Sequence, residues 1–395
     1  MNPAPLPLEV EALMAAASER AGGRQDFGDP SFRPALQRLL QSVRDEAQMS
    51  PAGQAAFAQR LVDSLADRLL LEDHCTRHPE ILAERIERPV FIVGLPRTGT
   101  TMLHRVLACD RRFYSMAWWE ARHPSPLSAE DLLEPKRRIE MARAEVKAMV
   151  EAIPALLTMH PLDAELADEE VLLMEHSFMG AYDAYGNVAG YMEWLFKQDQ
   201  APAYRYLKRQ LQFLQWQKRQ RGITAERWLL KAPHHLHLMP TLFSVFADAK
   251  VVQTHRDPLQ TIPSMGSFAY TLWQLFSDKA DPVQAGQQWS AKFARGMRSA
   301  MAFRATVPRD RFLDVWYLDA VARPIDVAET VYPFLQMSLD DSARSAMREW
   351  VATSGRDLRP SHDYSAAALG LSDEQLAADF AEYRERHVLA HAAKP

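Results

Sequence analysis

Arg88-Pro-Val-Phe-Ile-Val-Gly-Leu-Pro-Arg-Thr-Gly-Thr-Thr-Met-Leu-His-Arg-Val-Leu-Ala108 is the stretch that decides the fold of this chain. Its apolar run from Val90 to Val93 predicts a buried strand, which breaks at Gly94-Leu95-Pro96. After Arg97-Thr98-Gly99-Thr100-Thr101, apolar residues recur at helical spacing. A strand, a glycine-containing loop and a helix start predict a phosphate site. The reason is that the free N–H groups of the first helical turn and the helix dipole both favour an anion.

The loop departs from the loop of nucleoside triphosphatases, which reads G-x-x-x-x-G-K-[ST]. Gly94 and Gly99 have the required spacing, but Thr100 stands where the lysine is expected, and the cation comes earlier, at Arg97. This pattern argues against a magnesium-dependent kinase or ATPase and favours a nucleotide that needs no metal. The alternative is a tight strand-to-helix turn that binds no ligand.

Pro96-Arg-Thr-Gly-Thr-Thr101 resembles the 5′-phosphosulfate loop of sulfotransferases, enzymes that use 3′-phosphoadenosine 5′-phosphosulfate (PAPS). Later segments of the chain resemble the bacterial members of this family. The resemblance implies an α/β, P-loop-type three-layer fold with a central, mostly parallel sheet flanked by helices. It also implies PAPS as co-substrate and no metal. The loop residues that would hold the donor are Arg97, Thr98, Gly99, Thr100 and Thr101.

A second chemical centre follows the predicted strand from Trp228 to Leu230. Lys231 ends this strand, and His234 and His235 come next. Parallel sheets place ligands at the carboxyl ends of their strands. Sulfotransferases carry a Lys-x-His element at this point of the chain, but Pro233 occupies the histidine position here. Bacterial relatives read Lys-x-Pro-x-His, which favours His235 over His234 as general base.

The acidic segment Leu162-Asp-Ala-Glu-Leu-Ala-Asp-Glu-Glu-Val-Leu-Leu173 leaves two interpretations open. Its carboxylates could simply stabilise a helix N-terminus. Alternatively, Glu165, Glu169 or Glu170 reaches the site, and Glu169 serves as base if the histidine is structural.

The predicted strand at residues 249–254 precedes a further nucleotide signature. Arg256 stands at its end, and Ser264 follows eight residues later, which is the spacing of the 3′-phosphate signature in sulfotransferases. Arginine supplies a planar, permanent charge for bidentate contact with a phosphate, and serine adds a hydroxyl donor. The resemblance places the segment 356–371 over the nucleotide, with Arg356, Arg359 or His362 near the 3′-phosphate.

The chain as a whole divides into a helical N-terminal cap at residues 1–85 and a P-loop-like domain at residues 86–395. The formal charge of −5 over 395 residues argues against nucleic-acid binding. Two cysteines without metal-ligand spacing predict neither a disulfide framework nor a zinc site. We see no signal peptide and no membrane span, so we expect a cytoplasmic protein. The oligomeric state stays open, a homodimer included.

The resemblance, together with these patterns, implies a sulfotransferase that acts on a hydroxyl or amine of a small molecule, lipid or carbohydrate. The base would be His235, or Glu169, while Arg97 and Lys231 would stabilise charge on the leaving phosphate. Two other classes of protein remain as alternatives, a kinase-like phosphotransferase using ATP and a non-catalytic nucleotide-binding protein. The aromatic stretch at residues 178–221 predicts helices that cover the acceptor.

Overall fold

A five-stranded parallel sheet lies at the centre of the chain, which a computed structural model describes over residues 6–159, 162–354 and 364–392. The strand order is β2-β3-β1-β4-β5. The strands are β1 (Val90–Gly94), β2 (Phe113–Tyr114), β3 (Arg227–Lys231), β4 (Lys250–His255) and β5 (Phe312–Trp316). All four pairings between neighbouring strands are parallel, so the carboxyl ends of all five strands lie on the same side of the sheet.

The central strand β1 shows why its residues form a sheet with both faces covered. All five of its residues are buried, as expected for a near-continuous apolar strand of a parallel sheet. Phe91 and Val93 belong to one apolar core, and Val90 and Ile92 belong to a second core on the opposite face. Two cores separated by one sheet confirm the predicted three-layer α/β architecture. The strand β2 was not predicted, because two residues are too few to show a periodic pattern.

The helices of the smaller core include the one that follows the loop. This helix, α4 (Thr100–Leu107), packs through Leu103, Val106 and Leu107, as its apolar spacing predicts. Later in the chain, α16 (Pro324–Phe334) and α17 (Asp341–Thr353) contribute to the same core.

The N-terminal region is helical, as predicted, and its three helices are α1 (Val10–Arg20), α2 (Phe32–Glu46) and α3 (Pro51–Arg77). Ser50 begins α3 by accepting a hydrogen bond from the Gly53 N–H at 3.1 Å. The helices share the larger apolar core with Phe91 and Val93 of the sheet. The division of the chain at residue 85 stays a prediction.

The remaining helices lie between the strands or, for the last of them, directly after β5. Those between β2 and β3 are α5 (Trp118–Arg122), α6 (Ala129–Leu133), α7 (Lys136–Ala152), α8 (Leu156–Met159), α9 (Val171–Met174), α10 (Ala189–Leu195) and α11 (Ala201–Gln220). Those between β3 and the start of α16 are α12 (Met239–Val245), α13 (Pro258–Trp273), α14 (Pro282–Arg304) and α15 (Tyr317–Ala322). A 3-10 helix at Pro233–His237 directly follows β3 and packs against α14.

Residues 364–392 form a C-terminal strap. In the sequence, Leu371-Ser372 with Gln375 predicts a capping box for one final helix from Asp373 to about Ala390. The start is confirmed, because Ser372 caps α18 (Asp373–Asp379) by accepting from the Gln375 N–H. The predicted end is wrong, since α18 ends before the buried Phe380. Short helical pieces follow, at α19 (Ala381–Tyr383), a π-helix (Arg384–Leu389) and α20 (Ala390–Ala392).

Two further sequence predictions meet the limits of the described residues. Arg356, Arg359 and His362 lie outside them, so their proximity to a 3′-phosphate stays a prediction. Within the described ranges, no helix combines the length and the apolar character that a membrane crossing requires.

Candidate active site

The loop between β1 and α4 is held in shape by close backbone packing. A Cβ added to Gly94 would lie 2.2 Å from Thr254 Oγ1, so only glycine fits between this loop and β4. Gly99 begins α4 with φ +84°, a conformation that suits glycine. Arg97 also has a positive φ, of 67°. The loop therefore adopts a left-handed backbone at two positions immediately before the helix N-terminus.

Thr98 fixes the loop from the inside. Its hydroxyl donates to the Leu95 carbonyl at 2.6 Å and lies 2.6 Å from Thr254 Oγ1, and the residue is fully buried. The side chain of Thr98 is thus committed to the fold, and its N–H is the group left for an anion. Gly99, Thr100 and Thr101 line the adjoining cavity, at the point where the first turn of α4 offers N–H groups.

The cavity has a volume of about 670 Å³. The loop residues line one part of it, and Trp118, Met159, Met265 and Phe268 give another part an apolar wall. This combination of apolar walls with a few polar groups is typical of a small-molecule site.

Lys231 lies at the carboxyl end of β3, next to the loop. Its ammonium group donates hydrogen bonds to Glu169 Oε1 and, at 3.2 Å, to Thr101 Oγ1. The lysine side chain is fully buried, whereas the Glu169 side chain is 20% exposed and lines the cavity. The structure therefore brings together the loop, the lysine and the carboxylate that the sequence singled out separately.

His235 does not line the cavity. The residue is fully buried, its Nε2 lies 2.6 Å from Glu170 Oε1, and its Nδ1 lies 2.7 Å from the Tyr204 hydroxyl. Burial alone would raise the pKa of Glu170, but the hydrogen bond from His235 lowers it, so Glu170 is a carboxylate. Nε2 then donates to Glu170, and Nδ1 is hydrogen-bonded to the Tyr204 hydroxyl. Both ring nitrogens are in use, which leaves none for a substrate proton.

His234, the neighbouring histidine, does line the cavity. Burial lowers its pKa well below the usual value, with a further contribution from the Lys292 charge, so the ring is neutral at neutral pH. Both of its ring nitrogens are buried and lack a hydrogen-bond partner among the described residues.

Arg256 reaches the same cavity from the end of β4. Its Nη1 donates to the Arg97 carbonyl at 2.9 Å, its Nε donates to Gln260 at 3.1 Å, and its guanidinium lies 4.0 Å from the centre of the Tyr317 ring. These contacts hold the arginine beside the loop. Ser264, which is only 7% exposed in α13, is not among the residues that line the cavity.

Sequence reasoning missed several residues that line the cavity, namely Arg60, Arg122, Lys292 and Tyr317. Arg60 and Lys292 lie on long helices where charged residues are common, and no local pattern sets them apart. Arg122 follows Trp118 by four residues, which places both on one face of α5, and this spacing could have predicted it. Trp119, in contrast, packs between Arg138 and Arg221 away from the cavity, as ordinary core.

Three groups of metal-ligand type meet elsewhere, at His255, Asp314 and His387, with ligand atoms within 4.8 Å of one another. The imidazole rings of His255 and His387 stack, with their centroids 4.4 Å apart and an angle of 5° between the ring planes. Parallel stacked rings do not direct two nitrogens at one ion. Asp314 already accepts from His255 Nε2 and from both Nη groups of Arg304. The cluster is therefore a hydrogen-bonded network in this arrangement.

Comparison with known proteins identifies relatives along most of the chain. The family model described as "Sulfotransferase family" matches residues 89–341. The crystal structure of sulfotransferase STF1 from Mycobacterium tuberculosis H37Rv superimposes with a TM-score of 0.82 and 31% identity, covering 95% of this chain and 98% of the other. Sulfotransferase STF9 from Mycobacterium avium gives a TM-score of 0.85 and 25% identity, covering 96% of each chain.

A relative with a named acceptor is the omega-hydroxy-beta-dihydromenaquinone-9 sulfotransferase Stf3 of Mycobacterium bovis. It is 26% identical over 302 residues, which are 73% of this chain and 71% of Stf3.

Proposed function

The chain belongs to the sulfotransferase family, and on this premise we propose that it transfers a sulfuryl group from PAPS to a hydroxyl of an apolar small molecule or lipid. The observation that carries the proposal is the meeting of the loop, Arg256 and Glu169 at one cavity, with the buried Lys231 bonded to both Glu169 and Thr101 directly behind the cavity wall. The relative Stf3 is named for a hydroxylated menaquinone derivative, which supports an apolar acceptor.

The residues present fit a nucleotide with phosphates at both the 5′ and 3′ positions. The tight packing of Gly94 and the left-handed Gly99 leave backbone N–H groups for the 5′-phosphosulfate. Arg256 would hold the 3′-phosphate. It uses Nε and Nη1 within the protein, which leaves Nη2 for a charge-assisted hydrogen bond. Ser264 would support this contact from within α13. When bound, PAPS supplies the sulfuryl group.

In the proposed mechanism, Glu169 removes the proton from the acceptor hydroxyl as the oxygen attacks sulfur in line. We assign the base to Glu169 because its carboxylate lines the cavity, whereas His235 has no free ring nitrogen. The bond between sulfur and the bridging phosphate oxygen breaks, and charge develops on that oxygen. Lys231, Arg97 and the loop N–H groups from Thr98 to Thr101 stabilise this charge.

The Thr100 and Thr101 hydroxyls add donors to the same phosphate. Because arginine stays protonated, Arg97 acts as an electrostatic clamp and does not donate a proton to the leaving group. A sulfuryl group carries less charge than a phosphoryl group, so protein donors can stabilise its transfer without a metal ion.

The first test compares thermal stabilisation by 3′-phosphoadenosine 5′-phosphate (PAP) with stabilisation by ATP and magnesium, each with and without EDTA. A ligand at a hundred times its dissociation constant adds about 2.7 kcal/mol of stability. We expect PAP to raise the melting temperature in both conditions. Stabilisation by ATP and magnesium alone would contradict the proposed donor and favour a kinase-like activity.

The second test follows sulfated product from radiolabelled PAPS. The acceptors are a long-chain primary alcohol, a phenol and a disaccharide. We expect the apolar alcohol to give the highest kcat/KM. Transfer to the disaccharide alone would contradict the apolar acceptor and leave the donor assignment in place.

A further inference from the structure

Two arginines that no sequence signature singled out line the cavity together with the catalytic groups. Arg60 comes from α3 in the N-terminal region, and Arg122 ends α5, one turn after Trp118. The N-terminal helices therefore contribute a charged side chain directly to the cavity.

Arg60 is held in place through one edge of its planar guanidinium group. Its Nε and Nη2 donate to the two oxygens of Glu175 at 2.7 and 2.9 Å, and the group lies 4.6 Å from the centre of the Tyr185 ring. The Tyr185 hydroxyl donates to the same carboxylate. No described residue accepts a hydrogen bond from Nη1 of Arg60, and the side chain keeps 16% of its surface exposed. Nη1 is thus the part of Arg60 that remains for a ligand.

Arg122 repeats this arrangement. Its Nε donates to Glu145 at 3.2 Å, and neither Nη group has an acceptor among the residues that the structure describes. Its side chain is 12% exposed. Burial raises the pKa of Glu175, but the charge and hydrogen bonds of Arg60 and, to a smaller extent, the charge of Arg122 lower it below its usual value. Arg122 therefore also lies close to this carboxylate.

The balance of charge indicates what kind of group would bind there. Glu175 compensates Arg60, and Glu145 compensates Arg122, so the pairs together are neutral while several N–H donors are uncommitted. An apolar group placed against these donors would remove them from water without replacing their hydrogen bonds, which disfavours its binding. An oxygen that accepts hydrogen bonds would satisfy them.

We propose that Arg60 and Arg122 form a polar subsite that binds an oxygen-bearing group of the acceptor, a carbonyl or a carboxylate, distant from the hydroxyl that is sulfated. The inference rests on the proposed function, and it adds a specificity rule to it. The acceptor has two polar ends joined by an apolar body, which contacts Trp118 and the methionine side chains of the cavity.

The test uses three acceptors of equal chain length, namely an ω-hydroxy acid, an ω-hydroxy methyl ketone and an alkan-1-ol, over a series of lengths. Their binding to the PAP-saturated protein is measured by calorimetry, and their sulfation by PAPS is measured as initial rates. We expect the acid or the ketone to bind about tenfold more tightly than the alkanol at one chain length, as an added hydrogen bond to a charged group would give. The acid and ketone arms distinguish a charged from a neutral group.

The variants are R122M, R60K and, as a matched control, R143M. R60K retains a cation beside the buried Glu175, so the variant avoids the cost of an unpaired carboxylate while losing the planar donor group. Arg143 pairs with Glu165 at the surface and does not line the cavity. We expect R122M and R60K each to reduce the preference for the acid or ketone over the alkanol at least threefold. R143M should keep this preference.

Equal binding of all three acceptors by the wild-type protein would overturn the subsite. So would a preference that survives in both R122M and R60K. If the binding preference is present but no acceptor is sulfated, the proposed sulfotransfer fails and the subsite stands. Melting temperatures of the variants, measured with and without PAP, show whether a lost preference reflects a misfolded protein.

Discussion

Glu169 and His235 are the two residues whose roles the geometry separates most clearly. Glu169 lines the cavity and accepts from Lys231, and His235 lies buried between Glu170 and Tyr204. A glutamine in place of Glu169 can still accept from Lys231 but cannot take a proton. We therefore expect E169Q to lower kcat by about 10² or more while PAP affinity stays within about twofold.

The matched control for E169Q is E165Q. The Glu165 side chain is 47% exposed and does not line the cavity, so E165Q should keep its kcat. An E169Q protein with nearly wild-type kcat would remove Glu169 from the mechanism.

We expect substitution of His235 to affect the stability of the protein more than its catalysis. In H235L, the fully buried Glu170 loses its side-chain partner and keeps only the hydrogen bond from the Lys231 N–H among the bonds across to β3, and breaking a buried pair in this way typically costs about 3–5 kcal/mol. We expect urea unfolding to show a loss of this size, with a smaller fall in kcat for the folded protein than in E169Q. A large fall in kcat with unchanged stability would instead identify His235 as the base.

Arg256 is expected to discriminate between nucleotides. Loss of a charge-assisted contact to the 3′-phosphate should weaken PAP binding by about 10-fold to 100-fold in R256A. Binding of adenosine 5′-phosphate, which lacks that group, should change by less than about threefold. Calorimetry with both nucleotides gives the ratio of the two losses in affinity. R311A serves as control, because Arg311 donates to the Ala249 carbonyl just before β4 begins, whereas Arg256 follows the end of β4. Equal losses for both nucleotides would contradict the assignment.

At the scale of elements, the C-terminal strap contacts the end of β4 beside Arg256. Arg384 donates to both oxygens of Asp257 at 3.0 Å, and Asp257 also caps α13 by accepting from the Leu259 N–H. The Tyr383 hydroxyl lies 3.1 Å from Nδ1 of His255, the last residue of β4. The strap thus supports the backbone that carries Arg256.

The variant R384Q tests whether this support matters for the nucleotide. Both partners are about one-fifth exposed, so we expect a loss of only about 1 kcal/mol in unfolding free energy. PAP binding should weaken about fivefold, because Arg256 is less well held. R386Q is the matched control, since Arg386 lies two residues further on and pairs with Glu382 at the surface. Equal effects of the two variants would show that the strap does not support the site.

The elements show which parts of the fold and of the site the sequence could predict. The loop from Gly94 to Thr101 and the strand ends at Lys231 and Arg256 were predictable, because each depends on a local pattern and the parallel sheet brings the ends together. The isolation of His235 was not predictable, because it depends on Glu170 and Tyr204, which lie 65 and 31 residues away in the chain. Arg60 reaches the cavity through packing of the whole N-terminal region, which no local spacing encodes.

At the scale of the whole molecule, buried imidazoles make stability depend on pH. Burial lowers the pKa of His74, His104 and His387 to about 4 in each case. It lowers the pKa of His234 and His237 well below the usual value. In the unfolded chain these rings regain a pKa near 6.5, so below that pH the unfolded state binds more protons than the folded state. Burial acts oppositely on Asp63 and Glu72, whose pKa values are raised, but the imidazoles are more numerous.

The free energy of unfolding should therefore fall as the pH drops from about 6.5 towards 4, by on the order of 1 kcal/mol for each buried imidazole in the first pH unit. Urea unfolding at pH 7.5, 6.5 and 5.5 measures the slope. The variant H104Q should reduce this pH dependence by the contribution of one imidazole. Glutamine can still donate to the Leu229 carbonyl but does not titrate. Unchanged or higher stability at pH 5.5 would contradict the assignment of neutral, buried imidazoles.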